Sequence, residues 1–574
     1  MGGKFIFSYI ELYKGTDSKL VDTKIRDITK KHNKELNTTL FLQNIKKIHL
    51  FSTGKVEKDI GGHGDIGYVR MLSLIAVFIL LIASINFMNL STAQSARRAM
   101  EIGIRKVAGA NKSKIFVQFI GESLLIVFVA HIIALIFVEL LLPGFNNLTG
   151  KQLNVNYQSA GLYIGLITVV LFCGLLAGSY PALYLSSLKP LNIIKGVINK
   201  NPGSAQFRRV LVIFQFSLSV LLIICTLIVR NQLNYMQNKN LSLNKDNIGY
   251  FQFDSPNLGE ILKNDLSNNP DIVSVTFADQ NPLSVMNAAS SSIFDWEGKK
   301  KGNDVIFSAI GVNEGFAKTF QIELKDGGFS SSEFSNDNTI VINEQAAKIM
   351  DFKDPIGKIL SLNGPKFRII GVVKDFNFKS LHTKIEPLIM MMNNNANSFC
   401  FIRMKPDHIT STVDYIKKTF KTYNLPYPLE FKFLDDYYDN LYRTEQRMSK
   451  ISGYFSFLAI FISCLGLIGL SLFMAERRTK EIGIRKINGA KSVEIFSLLS
   501  KEYIIWVMIS IIIASPIAWY AMNKWLQNFA YRIGINWWVF ALAGILAMVI
   551  ALLTVSWQSY NAANKNPVEA LRYE

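Results

Sequence analysis

Arg97-Arg98-Ala99-Met100-Glu101-Ile102-Gly103-Ile104-Arg105-Lys106-Val107-Ala108-Gly109-Ala110 returns near the other end of the chain as Arg477-Arg478-Thr479-Lys480-Glu481-Ile482-Gly483-Ile484-Arg485-Lys486-Ile487-Asn488-Gly489-Ala490. Each copy follows one long apolar run and precedes another. A basic segment held twice between such runs is a repeated part. Lysine- and arginine-rich loops stay on the cytoplasmic side of a membrane, so both copies are expected to face the cytoplasm, within reach of a soluble partner.

Working outward, the 574 residues are 49% apolar with a mean hydropathy of +0.22, too high for an ordinary soluble protein of this length. The formal charge of +19 does not point to nucleic acid, because the basic residues flank apolar runs instead of interleaving with aromatics on a soluble face. It reads as topology and as attraction to membrane lipid. Cys173, Cys225 and Cys464 fall inside apolar runs and Cys400 in a polar region, so no disulfide framework is expected.

About seven runs reach the length of a bilayer core: Met71 to Leu90, Ser123 to Leu142, Leu162 to Leu185, Val210 to Val229, Ile451 to Phe473, Tyr503 to Tyr520 and Trp537 to Trp557. The basic flanks after the first, third and fifth place those loops inside. The expected fold class is a polytopic α-helical membrane protein of two unequal repeats with an external mixed α/β domain. The boundaries read as an N-terminal external segment 1–70, a three-span unit 71–190, a linker and fourth span 191–230, an external domain 231–448 and a second three-span unit 449–574.

Residues 1–70 read as β-α-β, over Phe5 to Leu12, Ser18 to Asn33 and Thr38 to His49. The same order recurs before the fifth span, over Phe399 to Met404, Ile409 to Thr422 and Leu429 to Leu434. By that symmetry the first copy lacks a leading helix and most of an outer domain, and the chain reads as shortened. In the external domain His382 and His408 read as solvated, Asp375 as a polar residue ending a strand, and no nucleophile–base pair or metal constellation is visible. An enzyme is not expected.

The loops resemble the end of a phosphate loop only superficially. Five residues separate Gly103 from Gly109 and Gly483 from Gly489, and neither second glycine precedes a lysine, so phosphate cannot be cradled in that way. Instead, Glu101 with Arg105 and Glu481 with Arg485 form i,i+4 pairs with the acid first, and Gly109 and Gly489 are placed to end a helix. Fixing topology needs positive charge but not the same Glu-Ile-Gly-Ile-Arg-Lys and Gly-Ala twice, so the loops read as docking elements. Within the spans, Gly174 with Gly178 and Gly466 with Gly469 suit close helix packing, and His131, Gln215, Ser217 and Ser219 read as interhelical hydrogen-bonding groups.

These residues resemble the FtsX-like and MacB-like permeases of ABC transporters, the mechanotransmission or type VII class. The most specific parts are the two Glu-Ile-Gly-Ile-Arg-Lys-x-x-Gly-Ala segments and the ending Asn566-Pro567-Val568-Glu569-Ala570-Leu571-Arg572, echoed by Lys189-Pro190-Leu191-Asn192-Ile193-Ile194-Lys195. Asp354-Pro355-Ile356-Gly357-Lys358 and Ile370-Gly371-Val372-Val373-Lys374-Asp375 are similar to the family's outer domain. The resemblance implies ATPase-coupling roles for Arg98, Glu101, Gly103, Arg105, Lys106 and Gly109, and for Arg478, Glu481, Gly483, Arg485, Lys486 and Gly489. It implies a bacterial inner-membrane location and cytoplasmic ABC ATPase subunits, as a dimer, that carry ATP and Mg, with no cofactor in this chain. A periplasmic adaptor or outer-membrane channel is a further partner it suggests. Force transmitted to the outer domain would export, extract or release a substrate; the alternative is a sensor, or a regulator of a cell-wall hydrolase, that moves nothing.

Overall fold

The computed structural model describes residues 8–32, 39–51, 66–187, 202–253, 255, 258–299, 305–330, 338–362, 364–393, 398–424 and 426–564. The family-like segments 189–195 and 566–572 lie outside them. Two compact units result. One comprises the N-terminal stretch to Ile66, Asn234–Thr444 and Asn528–Arg532; the other comprises Gly67–Leu233, Glu445–Gln527 and the residues from Ile533 onward.

The N-terminal stretch corrects one expectation. It holds α1 (Ser18–Ile25), α2 (Ile28–His32) and α3 (Ile45–Phe51), while residues 8–17 carry no strand. A helix therefore stands over Ile45 to His49, the latter part of the segment that read as a strand, and residues 39–44 before it carry no strand. The cause is local: the Asn44 side chain accepts from the Lys46 N–H at 2.9 Å, and Ile45 and Ile48 fall at helical spacing.

Along the chain follow α4 (Ile66–Val107), α5 (Lys112–Thr149), α6 (Ala160–Ser187) and α7 (Pro202–Asn238). Then comes the external domain, with strands β1 (Ile248–Gln252), β2 (Ile272–Ala278), β3 (Ala288–Ser290), β4 (Phe294–Trp296), β5 (Ile306–Val312), β6 (Leu324–Gly327), β7 (Thr339–Asn343), β8 (Ile359–Leu362), β9 (Lys366–Val373), β10 (Leu388–Met392), β11 (Phe399–Met404) and β12 (Lys432–Phe433). Its helices are α8 (Gly259–Ser267), α9 (Phe316–Phe320), α10 (Glu344–Ile349), α11 (Ile409–Thr422) and α12 (Leu434–Leu441). The sheet runs β12-β1-β11-β2-β5-β10-β7-β9-β8-β4, with β3 on β5 and β6 on β9. It is mixed: β5 pairs β10 and β7 pairs β9 in parallel, the other ladders being antiparallel.

Two apolar clusters hold this domain. Phe251, Phe277 and Ile402 pack with Leu262 and Leu266 of α8 and Ile416 and Phe420 of α11. Phe307, Ile342, Ile369 and Ile389 pack with Ala346 of α10. The turn from β7 into α10 rests on buried Asn343, whose Oδ1 accepts from the N–H groups of Ala346 and Leu388, at 3.0 and 2.8 Å. One side chain thereby caps a helix and ties a neighbouring strand.

The chain ends in α13 (Arg443–Arg477), α14 (Thr479–Ile487), α15 (Ser492–Leu526) and α16 (Trp537–Asn564). Among the described residues seven helices are long and apolar enough to cross a bilayer: Ile66–Thr92, Lys112–Thr149, Ala160–Ser187, Gln206–Asn238, Arg443–Met474, Val493–Leu526 and Trp537–Trp557. In hydrocarbon a helix satisfies its own backbone, so association is left to close packing and polar contacts. Both are seen. A Cβ on Gly174 would meet Leu124 at 2.5 Å and one on Gly178 would meet Ser123 at 2.7 Å, which shows how near α6 comes to α5. The hydroxyls of Ser219 and Thr226 on α7 face those of Ser463 and Ser456 on α13, at 2.9 and 2.8 Å.

Residues of the second copy stand 380 positions after those of the first, Arg98 recurring as Arg478. The contact between α4 and α13 is centred on such an equivalent pair: the Asn86 carboxamide donates to the Ile462 carbonyl and lies against Gly466, where a Cβ would collide with it. Contact between equivalent positions is the mark of an approximate twofold axis.

Candidate functional site

The two loops fold alike. In the first, α4 continues past its membrane part to Val107, and Gly109 adopts φ +94°, a left-handed conformation that costs a Cβ-bearing residue about 1 kcal/mol. Gly109 N–H donates to the Lys106 carbonyl at 3.1 Å and Ala110 N–H to that of Arg105 at 2.9 Å. In the second, Gly489 at φ +89° donates to Lys486 at 3.0 Å and Ala490 to Arg485 at 2.9 Å. Both are Schellman caps, which satisfy carbonyls that the helix end would otherwise leave free.

The expected ion pairs form. Arg105 reaches Glu101 at 2.6 Å and Arg485 reaches Glu481 at 3.0 Å, all four side chains about half exposed, so each pair contributes only about 0.3–0.5 kcal/mol. Burial follows one pattern through both copies: Ile102, Gly103, Ile482 and Gly483 turn inward, while Ile104, Val107, Ile484 and Ile487 stand exposed beside the arginines. Ile102 packs with Ile115 and Phe119 of α5 and Ala182 and Leu185 of α6. Each loop thus anchors one apolar edge and presents another, mixed with positive charge, to the aqueous side.

Sequence reasoning missed one element of the site. Arg98 pairs with Glu122 at 2.6 Å, and its equivalent Arg478 pairs with Glu502 at 2.7 Å, so the basic segment is tied to the start of the next span in both copies. An acid recurring at the same distance after each motif was the available signal. Lys106 also bonds outside its own helix, its ammonium donating to the Ser186 carbonyl of α6 at 2.6 Å; burial first, and Lys112 second, lower its pKa. The copies differ at one place. The first runs as one helix from span to loop, whereas the second breaks at Arg478 (φ −97°, ψ 11°) before α14.

In the external domain Asp375 accepts from the Gln345 N–H at 3.0 Å at the start of α10, a structural role; burial raises its pKa. Of the two histidines, His382 differs from expectation. The His382 ring lies 4.7 Å from that of Phe529 and its Nδ1 meets Ser380 Oγ at 2.7 Å, while His408 Nδ1 meets Asp271 at 3.2 Å. His382 is therefore half-buried against an aromatic ring, whereas the His408 side chain is 60% exposed, as a solvated residue is expected to be. A polar cleft of about 580 Å³ is lined by Lys239, Lys245, Asp246, Glu323 and Lys374; Lys374 pairs with Glu323 at 2.5 Å and Lys245 with Asp246 at 3.4 Å, while the Lys239 ammonium lies 4.2 Å from the centre of the Tyr531 ring. Among the described residues no three His, Cys, Asp or Glu side chains converge as metal ligands.

A family model for the FtsX-like permease C-terminal domain matches residues 73–190 and again 453–567, and one for the MacB-like periplasmic core domain matches 210–413. The uncharacterized ABC transporter permease YknZ of Bacillus subtilis is 22% identical over 278 residues, which is 46% of this chain and 69% of that protein. The macrolide export ATP-binding/permease protein MacB of Aggregatibacter actinomycetemcomitans is 24% identical over 208 residues, 34% of this chain and 32% of that one. The chain therefore matches about a third of that MacB's length. The crystal structure of the periplasmic region of MacB from Actinobacillus actinomycetemcomitans aligns with 36% of this chain and 97% of its own at 17% identity and a TM-score of 0.27.

Proposed function

This chain belongs to the FtsX-like and MacB-like ABC transporter permeases of the inner membrane, and from that premise we propose that it couples separate cytoplasmic ATPase subunits to work on a substrate at the outer side of the membrane. The observation that carries the reading is the duplicated loop. Two exposed edges of Ile104, Arg105 and Val107, and of Ile484, Arg485 and Ile487, have one geometry and one burial pattern, as docking to two copies of one partner requires. ATP and Mg belong to that partner. Movement of a docked loop would pass through Arg98–Glu122 and Arg478–Glu502 into α5 and α15, and through α4 and α13 toward the external domain. Work by mechanotransmission, without a central pore, fits this wiring. The substrate class proposed is a lipoprotein, peptide or drug-like molecule, with an adaptor or outer-membrane channel as a further partner.

Purification in mild detergent with identification of bound proteins tests the proposal. An ABC ATPase should co-purify, and Arg485→Glu should weaken its retention by about tenfold or more, since charge reversal at an interface leaves unpaired contacts. Lys318→Glu, on an exposed residue of the external domain, should leave retention unchanged. Equal retention by both variants removes the support for docking.

A further inference from the structure

The polar cleft of the external domain begins where α7 ends. Gln237, in the last turn of that helix, and Lys239, just beyond it, both line the cleft, which therefore adjoins the outer end of the fourth span. Two of its lysines are held over tyrosine rings. The Lys239 ammonium lies 4.2 Å from the centre of the Tyr531 ring and 5.5 Å from that of Tyr235, and the Lys245 ammonium lies 5.2 Å from that of Tyr438. Attraction to the ring faces fixes where each charge stands.

The charges of the cleft do not cancel. Glu323 occupies Lys374 at 2.5 Å, and the Asp246 side chain, 71% exposed, lies 3.4 Å from Lys245. Lys239 bonds the Tyr235 hydroxyl at 3.4 Å and has no carboxylate partner among the described residues. Arg403, buried and not itself a lining residue, donates to the carbonyls of Thr319, Asp246 and Asn244 at 2.6, 3.0 and 2.7 Å. Its guanidinium adds positive charge and engages two carbonyls of the cleft wall. The same wall holds a strained backbone: Ser242, Asn247 and Gln321 adopt φ +57°, +56° and +50°, and Ser242 and Gln321 line the cleft. Left-handed residues with a Cβ persist only where their surroundings impose them, and they gather where ligands are clamped.

We propose that this cleft takes the phosphate-bearing headgroup of an anionic membrane lipid, with Lys239 and Lys245 as its cationic contacts. A lysine ammonium binds phosphate as a compact point charge, and tyrosines at the end of a span stand at the headgroup level. The volume of about 580 Å³ lies within the range of roughly 300–1,000 Å³ that small-molecule sites occupy. Asn240, Ser242 and Gln321 add amide and hydroxyl groups for the hydroxyls of a headgroup. Position selects a lipid over a soluble phosphate ester, because headgroups are concentrated beside the end of a span. Bound there, the headgroup ties the external domain to the outer leaflet. The inference rests on the external domain and stands independently of the ATPase-docking reading.

The test uses the full chain in nanodiscs of phosphatidylcholine with a minor share of phosphatidylglycerol. A photo-cross-linking residue replaces Gln237 or, as a control, Trp537, which is 79% exposed at the outer start of α16. Mass spectrometry of the adducts should show phosphatidylglycerol enriched roughly tenfold over its share of the bilayer at position 237, and present in proportion to that share at 537. Lys239→Gln with Lys245→Gln should abolish the enrichment, whereas Lys239→Arg with Lys245→Arg, and Lys318→Gln on an exposed residue outside the cleft, should keep it. In the unmodified chain, added sodium chloride should lower it, as screening requires. Inorganic phosphate, equimolar with the lipid, should leave it in place. Equal proportions at 237 and 537, an enrichment insensitive to salt, or one that survives in a folded glutamine double variant would each overturn the proposal. Loss of the enrichment to inorganic phosphate would make a soluble phosphate the ligand, and adducts with a co-purifying peptide would make it a peptide; either result overturns the lipid.

Discussion

Gly109 and Gly489 show how much rests on a missing side chain. A Cβ at either would touch nothing within 4 Å, so the whole cost of Gly489→Ala is backbone strain at φ +89°. Hydrogen exchange at the Ala490 amide should accelerate roughly fivefold, matching about 1 kcal/mol, and less for Gly489→Asn, which tolerates the left-handed region better. Unchanged exchange in the alanine variant would mean the cap is not limiting. Asp279 makes a case from charge. Burial lifts its pKa above the ordinary carboxylate value, with the Gly311 N–H, 2.8 Å away, pulling the other way. Because the folded state then holds the proton more tightly than the unfolded state, stability falls as pH rises from the ordinary carboxylate range through the raised value. Asp279→Asn keeps an oxygen for Gly311 and should flatten that fall. Thermal unfolding followed across about pH 3 to 7 checks it, and an unaltered slope in the variant refutes the assignment.

At the scale of elements, the two ties between loop and span differ in setting. Arg98 and Glu122 are 53% and 40% exposed, Arg478 and Glu502 only 27% and 29%, so the second pair is less screened and its loss leaves a more poorly hydrated partner. Glu502→Gln should therefore destabilise the chain in mild detergent by about 1 kcal/mol more than Glu122→Gln. Equal melting temperatures would contradict this. The elements most legible in the sequence were those with a local cause. The seven spans, the helix-ending glycines and the Glu–Arg pairs each follow from spacing within about twenty residues. In the external domain Phe399 to Met404 and Ile409 to Thr422, read as a strand and a helix, coincide with β11 and α11. What stayed hidden depended on the fold. The order of the sheet and the Asp271 partner of His408 137 residues away become visible only once distant segments meet. Over Ile45 to His49, which read as part of a strand, the Asn44 side chain instead starts a helix.

For the whole molecule, the basic flanks predict a cytoplasmic placement of both loops and an external one for the mixed-sheet domain. In chains carrying a single introduced cysteine, an impermeant reagent added to intact spheroplasts should label position 354 and spare position 110; the reverse pattern would invert the topology. The meeting of α4 with α13 breaks the equivalence of the two copies. Asn86 and Gly466 hold the same place in the two copies of the repeat, yet one is a carboxamide and the other the hollow that receives it. Asparagine in both would collide and glycine in both would leave a gap, so neither half can pair with itself as it pairs with the other. Exchanging the two residues should preserve assembly where either single change harms it. The halves are therefore complementary parts, like a key and its lock cut from one blank, and at this contact neither can stand in for the other.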